Sequence, residues 1–200
     1  MNIFYLDKDP STCAKMHVDK HCVKMILEYA QLLSTAHRFL DGTKSIRLSK
    51  TGRKQTRYVL PDDRESVLYS ATHINHPSAI WCRESDSNYI WLAELLEECC
   101  NEYTYRYGKV HSCSRLSESL YLPPNKIVAG EFFAPTPAMP VDLKVMAENP
   151  VPGRKYDSLK SYHKYYIQEK VRFAQWKNRN IPDWFANAHL SISSQEYPRS

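Results

Sequence analysis

A narrow polar line along an otherwise apolar helix limits this chain more than any other feature of its sequence. Asp9 supplies an N-cap and Pro10 a first-turn residue, and the pattern from Ser11 to about Leu40 predicts one long helix ended by Asp41-Gly42. At about 100° per residue, His17, His21, Lys24, Glu28, Gln31 and Thr35 stack on one line. Met16, Cys22, Val23, Met25, Ile26, Leu27, Ala30, Leu32 and Leu33 cover most other directions. A surface helix carries a wide polar face. A helix with so narrow a line is central, and its line faces a cleft or a buried network, because unpaired buried charges are too costly.

Three readings of the line stay open. In the first it is a satisfied network, with Lys24 and Glu28 paired at i, i+4 and Gln31 and the histidines completing the hydrogen bonds. In the second, which is preferred, a cleft-lining Lys24 is neutral enough, through desolvation and neighbouring imidazoles, to act as nucleophile or base while Glu28 manages protons. The third is a metal pair at His17 and His21. Lys24 would repel a cation, and no Glu follows His17 as in H-E-x-x-H, so no metal is expected.

The remaining pattern predicts a mainly α, compact single-domain fold over 1–200, with the long first helix at its centre. Between Thr43 and Pro61, Lys44, Arg47, Lys50, Arg53, Lys54 and Arg57 occur without an acidic residue around Lys50-Thr51-Gly52-Arg53, which reads as a basic loop or short hairpin. A short helix is expected from Leu60-Pro61-Asp62-Asp63 to about Thr72, then a break at Asn75-His76-Pro77 and a new helix with Ala79, Ile80 and Trp81. Ser85 restarts a helix that runs to Gly108, with Tyr89, Leu92, Leu95, Leu96 and Cys99 as its core face. A helix over Ser112 to Leu122 precedes a Pro-rich surface strap from Pro123 to Pro140. After a break at Pro150, Pro152 and Gly153, a last long helix is expected from Asp157 to about Asn178.

Composition narrows the function classes. No apolar run approaches the roughly 20 residues of a membrane span, and the start lacks a basic n-region and apolar h-region, so a cytoplasmic protein without membrane association is expected. None of the six cysteines forms a C-x-x-C pair, and adjacent Cys99 and Cys100 fall in a helical apolar pattern, which predicts packing rather than disulfides. Only five glycines are present, and phosphate-cradling glycine loops are absent. No cofactor is expected. A net charge of +5, clustered rather than spread, together with 14 tyrosines, suits contact with nucleic acid.

Residues 13–33 of the first helix resemble the first helix of the pyrimidine-dimer DNA glycosylase family and its uncharacterised relatives, many encoded by bacteriophages. The similarity lies in a D-x-x-x-x-K-x-x-x-E-x-x-Q-L arrangement, here Asp19, Lys24, Glu28, Gln31 and Leu32. His76-Pro77 with Trp81 looks like the H-P-x-x-x-W element of those proteins, and Tyr162-His163-Lys164-Tyr165-Tyr166 is similar to their W-Y-K-Y-Y segment. The resemblance covers about a quarter of the chain. It implies a compact helical fold that binds duplex DNA, attacks C1′ of a damaged nucleotide with an amine, and cleaves the strand by β-elimination through a Schiff base. Two residues depart from that pattern. The characterised enzymes use the α-amine exposed when Met1 is removed ahead of a small second residue, whereas Asn2 leaves Met1 in place. Lys24 also stands in the register of their catalytic glutamate, with Glu28 one turn later.

The resulting expectation is a protein acting on duplex DNA, a glycosylase with or without lyase activity for damaged or modified pyrimidines. Lys24 would be its amine and Glu28 its carboxylate. His17, His21, Gln31, His76 and Trp81 are candidates for substrate contact; Lys44, Arg47, Lys50, Arg53, Lys54 and Arg57 for phosphate contact. Tyr165, Trp176 and Trp184 are candidates for stacking on an extruded base. The alternatives are a non-catalytic nucleic-acid-binding phage protein and an enzyme of free nucleotides, and no obligate protein partner is evident.

Overall fold

The structure, a computed structural model, describes residues 1–49 and 51–188. It is mainly α. Among the described residues seven α-helices carry it: α1 (Pro10–Met16), α2 (Asp19–Asp41), α3 (Arg64–Val67), α4 (Pro77–Cys82), α5 (Asp86–Tyr107), α6 (Ser117–Tyr121) and α7 (Ser158–Tyr165). Two antiparallel hairpins join them, β1 (Thr43–Leu48) with β2 (Lys54–Val59), and β3 (Val145–Val151) with β4 (Arg154–Asp157).

The two longest helices, α2 and α5, pack on each other, and α1 and α4 close their sides. Ile26, Tyr29, Leu32 and Leu33 of α2 meet Tyr89, Leu92, Leu95 and Leu96 of α5 in one contiguous core. The apolar segment Ile3–Leu6 is threaded into the same core and touches α7 through Phe4 and Tyr162, whose rings lie 5.7 Å apart edge to face. Burial of this apolar surface is the main driving force for the arrangement. All six cysteines are free and buried, as small hydrophobes. Among the described residues, no helix is long and apolar enough to cross a membrane.

The long first helix is broken. Asp9 caps α1 as expected, its carboxylate accepting from Thr12 N at 2.8 Å, but His17 and Val18 are extended, with ψ of 129° and 154°. The cause lies in α5. Buried Arg106, held by Glu102 at 2.6 Å, donates to the carbonyls of Lys15 (2.8 Å) and His17 (2.9 Å) and to Asp19 Oδ1 (2.9 Å). One guanidinium thus takes carbonyls that a continuous helix would use for itself and anchors the start of the next helix.

Residues 60–72 also form less helix than expected, and only α3 forms there. Arg38 of α2 draws the following chain out instead, donating to the carbonyls of Leu68 (2.9 Å) and Tyr69 (2.6 Å). Thr35 and Thr72 exchange further hydrogen bonds. Residues 112–122 divide into a 3₁₀ turn, Ser112–Leu116, and α6. The last helix is shorter than its pattern suggests. It passes at Tyr166–Lys170 into one π-type turn and then a 3₁₀ turn at Val171–Phe173. The prolines and Gly153 around 150–153, read as a break, form the turn region of the unanticipated second hairpin.

The Pro-rich strap is ordered without helix or strand because side chains satisfy its backbone. Asp41 accepts from Asn125 N and Lys126 N at 3.0 Å each, Trp81 Nε1 donates to Phe133 O at 2.6 Å, and Asn88 accepts from Phe133 N at 2.9 Å.

Candidate functional site

The polar line of α2 has two environments. Its N-terminal half opens into a pocket of ≈ 270 Å³ lined by Met1, Asn2, Phe4, His21, Lys24, Met25, Glu28, Tyr165 and Lys170. Its C-terminal half, Thr35 and then Arg38, lies under residues 68–72 as a closed hydrogen-bond network.

Glu28 organises the pocket. Its Oε2 accepts from Asn2 N at 3.0 Å, its Oε1 lies 3.3 Å from Lys24 Nζ, and the Met1 nitrogen stands 3.8 Å from Oε2. The carboxylate is 14% exposed and Lys24 73%. The burial expected of Lys24 is therefore absent. Asn2 is fixed on both sides: Nδ2 donates to Ala138 O at 3.1 Å, while Oδ1 accepts from Ile3 N at 2.8 Å and from the Tyr162 hydroxyl. The residue that departs from the resembled pattern thus holds the N-terminal segment against Glu28.

His21 forms the inner wall. It stacks on Phe4 with ring centres 4.1 Å apart, and Phe4 lies nearly parallel to Tyr165 at 6.2 Å. His21 Nδ1 meets the Tyr166 hydroxyl at 2.7 Å. Burial pushes its pKa down to about 3, helped by His17, Lys170 and Lys24, so the ring is neutral near pH 7. Lys170 Nζ lies 4.3 Å from the centre of the Tyr165 ring. The π-type turn carries both the Tyr166 hydroxyl to His21 and Lys170 to the pocket, and such turns recur at functional sites. Glycine-poor sequence gives no hint of it, and the helical period places Lys170 on a different face.

The other expected contacts divide. His76 caps α4, its Nδ1 accepting from Ser78 N at 3.2 Å, and its pKa is lowered by burial, then by the Met1 amine and His73, with Glu28 opposing. It therefore lies within electrostatic reach of the pocket. Gln31 is half-buried on the same face as Glu28. His17 is fully buried away from the pocket: it leaves the line at the helix break, donates from Nδ1 to Cys13 O at 2.7 Å and accepts at Nε2 from the Tyr29 hydroxyl at 2.7 Å. Trp81 is 1% exposed and packs in the core with Trp91 and Phe132. Of the stacking candidates, only Tyr165 lines the pocket. Trp176 donates to Met16 O at 2.9 Å, and Trp184 stacks on His163 at 3.9 Å. Among the described residues, no group of three or more His, Cys, Asp or Glu is placed to hold a metal ion.

The basic segment is a hairpin, β1–β2, bearing Lys44, Arg47, Lys54 and Arg57, with Arg53 in the turn. Lys50 lies outside the described residues. Register places Ser45, Arg47, Gln55 and Arg57 on one face and Lys44, Ile46, Leu48, Lys54, Thr56 and Tyr58 on the other. Beside the hairpin is a polar cleft of ≈ 520 Å³, lined by Arg38, Arg47, Arg57, Tyr58, Glu65 and Ser70 among others. Arg38, 5% exposed, was not singled out in the sequence. It joins the hairpin to α2 by donating to Tyr58 O at 3.0 Å and pairing with Glu65 at 2.5 Å. A helix rise of about 1.5 Å per residue puts Arg38 about 15 Å along α2 from Glu28, the span of about four phosphates of one strand. Comparisons with family models, curated proteins and solved structures give no match.

Proposed function

We propose that this protein binds duplex DNA and excises a damaged or modified pyrimidine, with an amine of the Glu28 pocket as nucleophile. The observation that carries the reading is the Lys24–Glu28 pair, 3.3 Å apart, at the mouth of a pocket that also holds a stacked aromatic wall. Its chemistry is an amine attack on C1′. The amine nitrogen bonds C1′ as the C1′–N1 bond breaks, the base leaves with the electron pair, and Glu28 accepts the proton shed by nitrogen. The sugar ring then opens as C1′–O4′ breaks, O4′ taking the electron pair and the proton from Glu28, and the resulting imine acidifies C2′–H, whose removal expels the 3′ phosphate by β-elimination. Tyr165, half-buried in the pocket lining, offers a ring for a base drawn out of the duplex. Cationic Lys170 suits the adjoining phosphate, and the hairpin cations suit phosphates further along the strand.

The resemblance of the Asp19-Lys24-Glu28-Gln31 segment to DNA glycosylases supports this assignment. Base release from duplexes carrying ultraviolet-damaged or substituted pyrimidines, followed by chromatography, tests it. Release that disappears in Glu28→Gln while DNA binding remains is the expected result. Binding without release from any such duplex would leave the second reading, a nucleic-acid-binding protein without chemistry, which the strong exposure of Lys24 favours.

A further inference from the structure

The β1–β2 hairpin combines exposed aliphatic side chains with a run of cations. One face presents Ile46 and Leu48, each 69% exposed, with Lys54 at its tip and Lys44 and Tyr58 at its root. Large apolar side chains at that exposure, on a segment whose cations have no acidic residue among them, do not help it fold. The ribbon is nevertheless firmly rooted. Arg38 holds Tyr58 O, the Tyr58 ring packs 5.5 Å from Phe39, and a Cβ on Gly42 would meet Arg38 O at 2.4 Å and Tyr58 C at 3.2 Å. Six-residue strands at about 3.3 Å per residue then project roughly 20 Å from that root.

We propose that this hairpin enters the minor groove of duplex DNA and that Ile46 and Leu48 wedge against a base step, unstacking it and bending the duplex. This rests on the DNA reading above and adds to it the means of deformation. Apolar wedges backed by cations act in this way, and the cost of unstacking is offset by the longer stretch of DNA that a bend brings against the protein. Charge complementarity selects a polyanion as the occupant. Two side chains on a narrow ribbon supply far less than the roughly 1,000 Å² that a stable interface between copies needs. A bend a few base pairs from Glu28 also loosens the stack from which a base must be extruded.

The test uses a duplex with 2-aminopurine at successive positions and a dye at each end. Wild-type protein raises 2-aminopurine fluorescence at one step and brings the dyes closer. In Ile46→Thr/Leu48→Thr, whose exposed sites leave the melting temperature unchanged, both signals vanish and Kd rises about tenfold. The slope of log Kd against log salt stays the same in that variant, and falls by about 1.8 in Lys44→Gln/Lys54→Gln. Binding by wild type with signals that survive Ile46→Thr/Leu48→Thr overturns the wedge alone. An absence of wild-type DNA binding overturns the DNA reading with it. Self-association, or binding to anionic vesicles, that is lost in the apolar variant while DNA bending remains would assign the patch to those partners and also overturn the proposal.

Discussion

Lys24 and Glu28 stand one turn apart on α2 with Nζ and Oε1 separated by 3.3 Å, the lysine 73% exposed and the carboxylate 14%. This asymmetry separates their roles. The Lys24 side chain reaches solvent and can swing toward a substrate, whereas Glu28 is held by a hydrogen bond from Asn2 N. Lys24→Ala therefore changes stability by less than about 1 kcal/mol, the usual worth of an exposed pair. Urea unfolding checks this, and a loss of several kcal/mol would mean that Lys24 is a structural residue.

Glu28→Gln retains an oxygen for the Asn2 N–H but no longer accepts a proton. Base release is expected to fall by about 100-fold or more, with Kd for DNA changed less than threefold. Single-turnover kinetics and a binding titration on the same duplex separate these effects. Equal losses in both would make Glu28 a binding group only.

Buried histidines give the fold a defined response to acid. Burial pushes His21 down to about 3 and His17 and His37 to about 4, from ordinary values near 6.5. Below about pH 6.5 the unfolded chain takes up protons that the folded chain refuses, so stability falls as pH drops from there toward 4. Each ring contributes about 1.4 kcal/mol per pH unit within that window. Unfolding free energies at pH 7 and pH 5 measure the slope, and His37→Gln reduces it. A flat profile between those values would contradict the neutral state of these buried rings, His37 among them with Nε2 2.7 Å from the Tyr89 hydroxyl.

Arg106 is 2% exposed and joins Glu102, Asp19 and two carbonyls of the α1 end. Removing one partner from a buried charge network costs about 3–5 kcal/mol. Arg106→Met is expected to lower stability by that amount and to fray α1, which hydrogen exchange at residues 10–17 reports. A change below 1 kcal/mol would show that the helix break does not depend on this side chain.

What was legible in the sequence was what short-range chemistry decides. Asp9-Pro10, His76-Pro77, Ser85 and Gly108 mark real helix ends because each satisfies or relieves local backbone groups. The His17–His21 spacing misled because a guanidinium almost 90 positions away breaks the helix between them. Lys24, Glu28 and His21 were identifiable by period. Lys170 was not, since a π-type turn changes the face it occupies, and Asn2 carried no periodic signal at all. His17 and Trp81 illustrate the opposite error: polar or aromatic character in a suggestive motif, spent on buried packing.

Borohydride trapping on damaged duplex DNA, with mass mapping of the adduct, addresses the central claim most directly. A covalent protein–DNA adduct at Lys24, absent from Lys24→Ala and diminished in Glu28→Gln, is the predicted result. An adduct that survives Lys24→Ala and maps to Met1 N, 3.8 Å from the same carboxylate, would keep the pocket and replace the nucleophile. No adduct on any duplex that the protein binds and cleaves would contradict amine catalysis at this site.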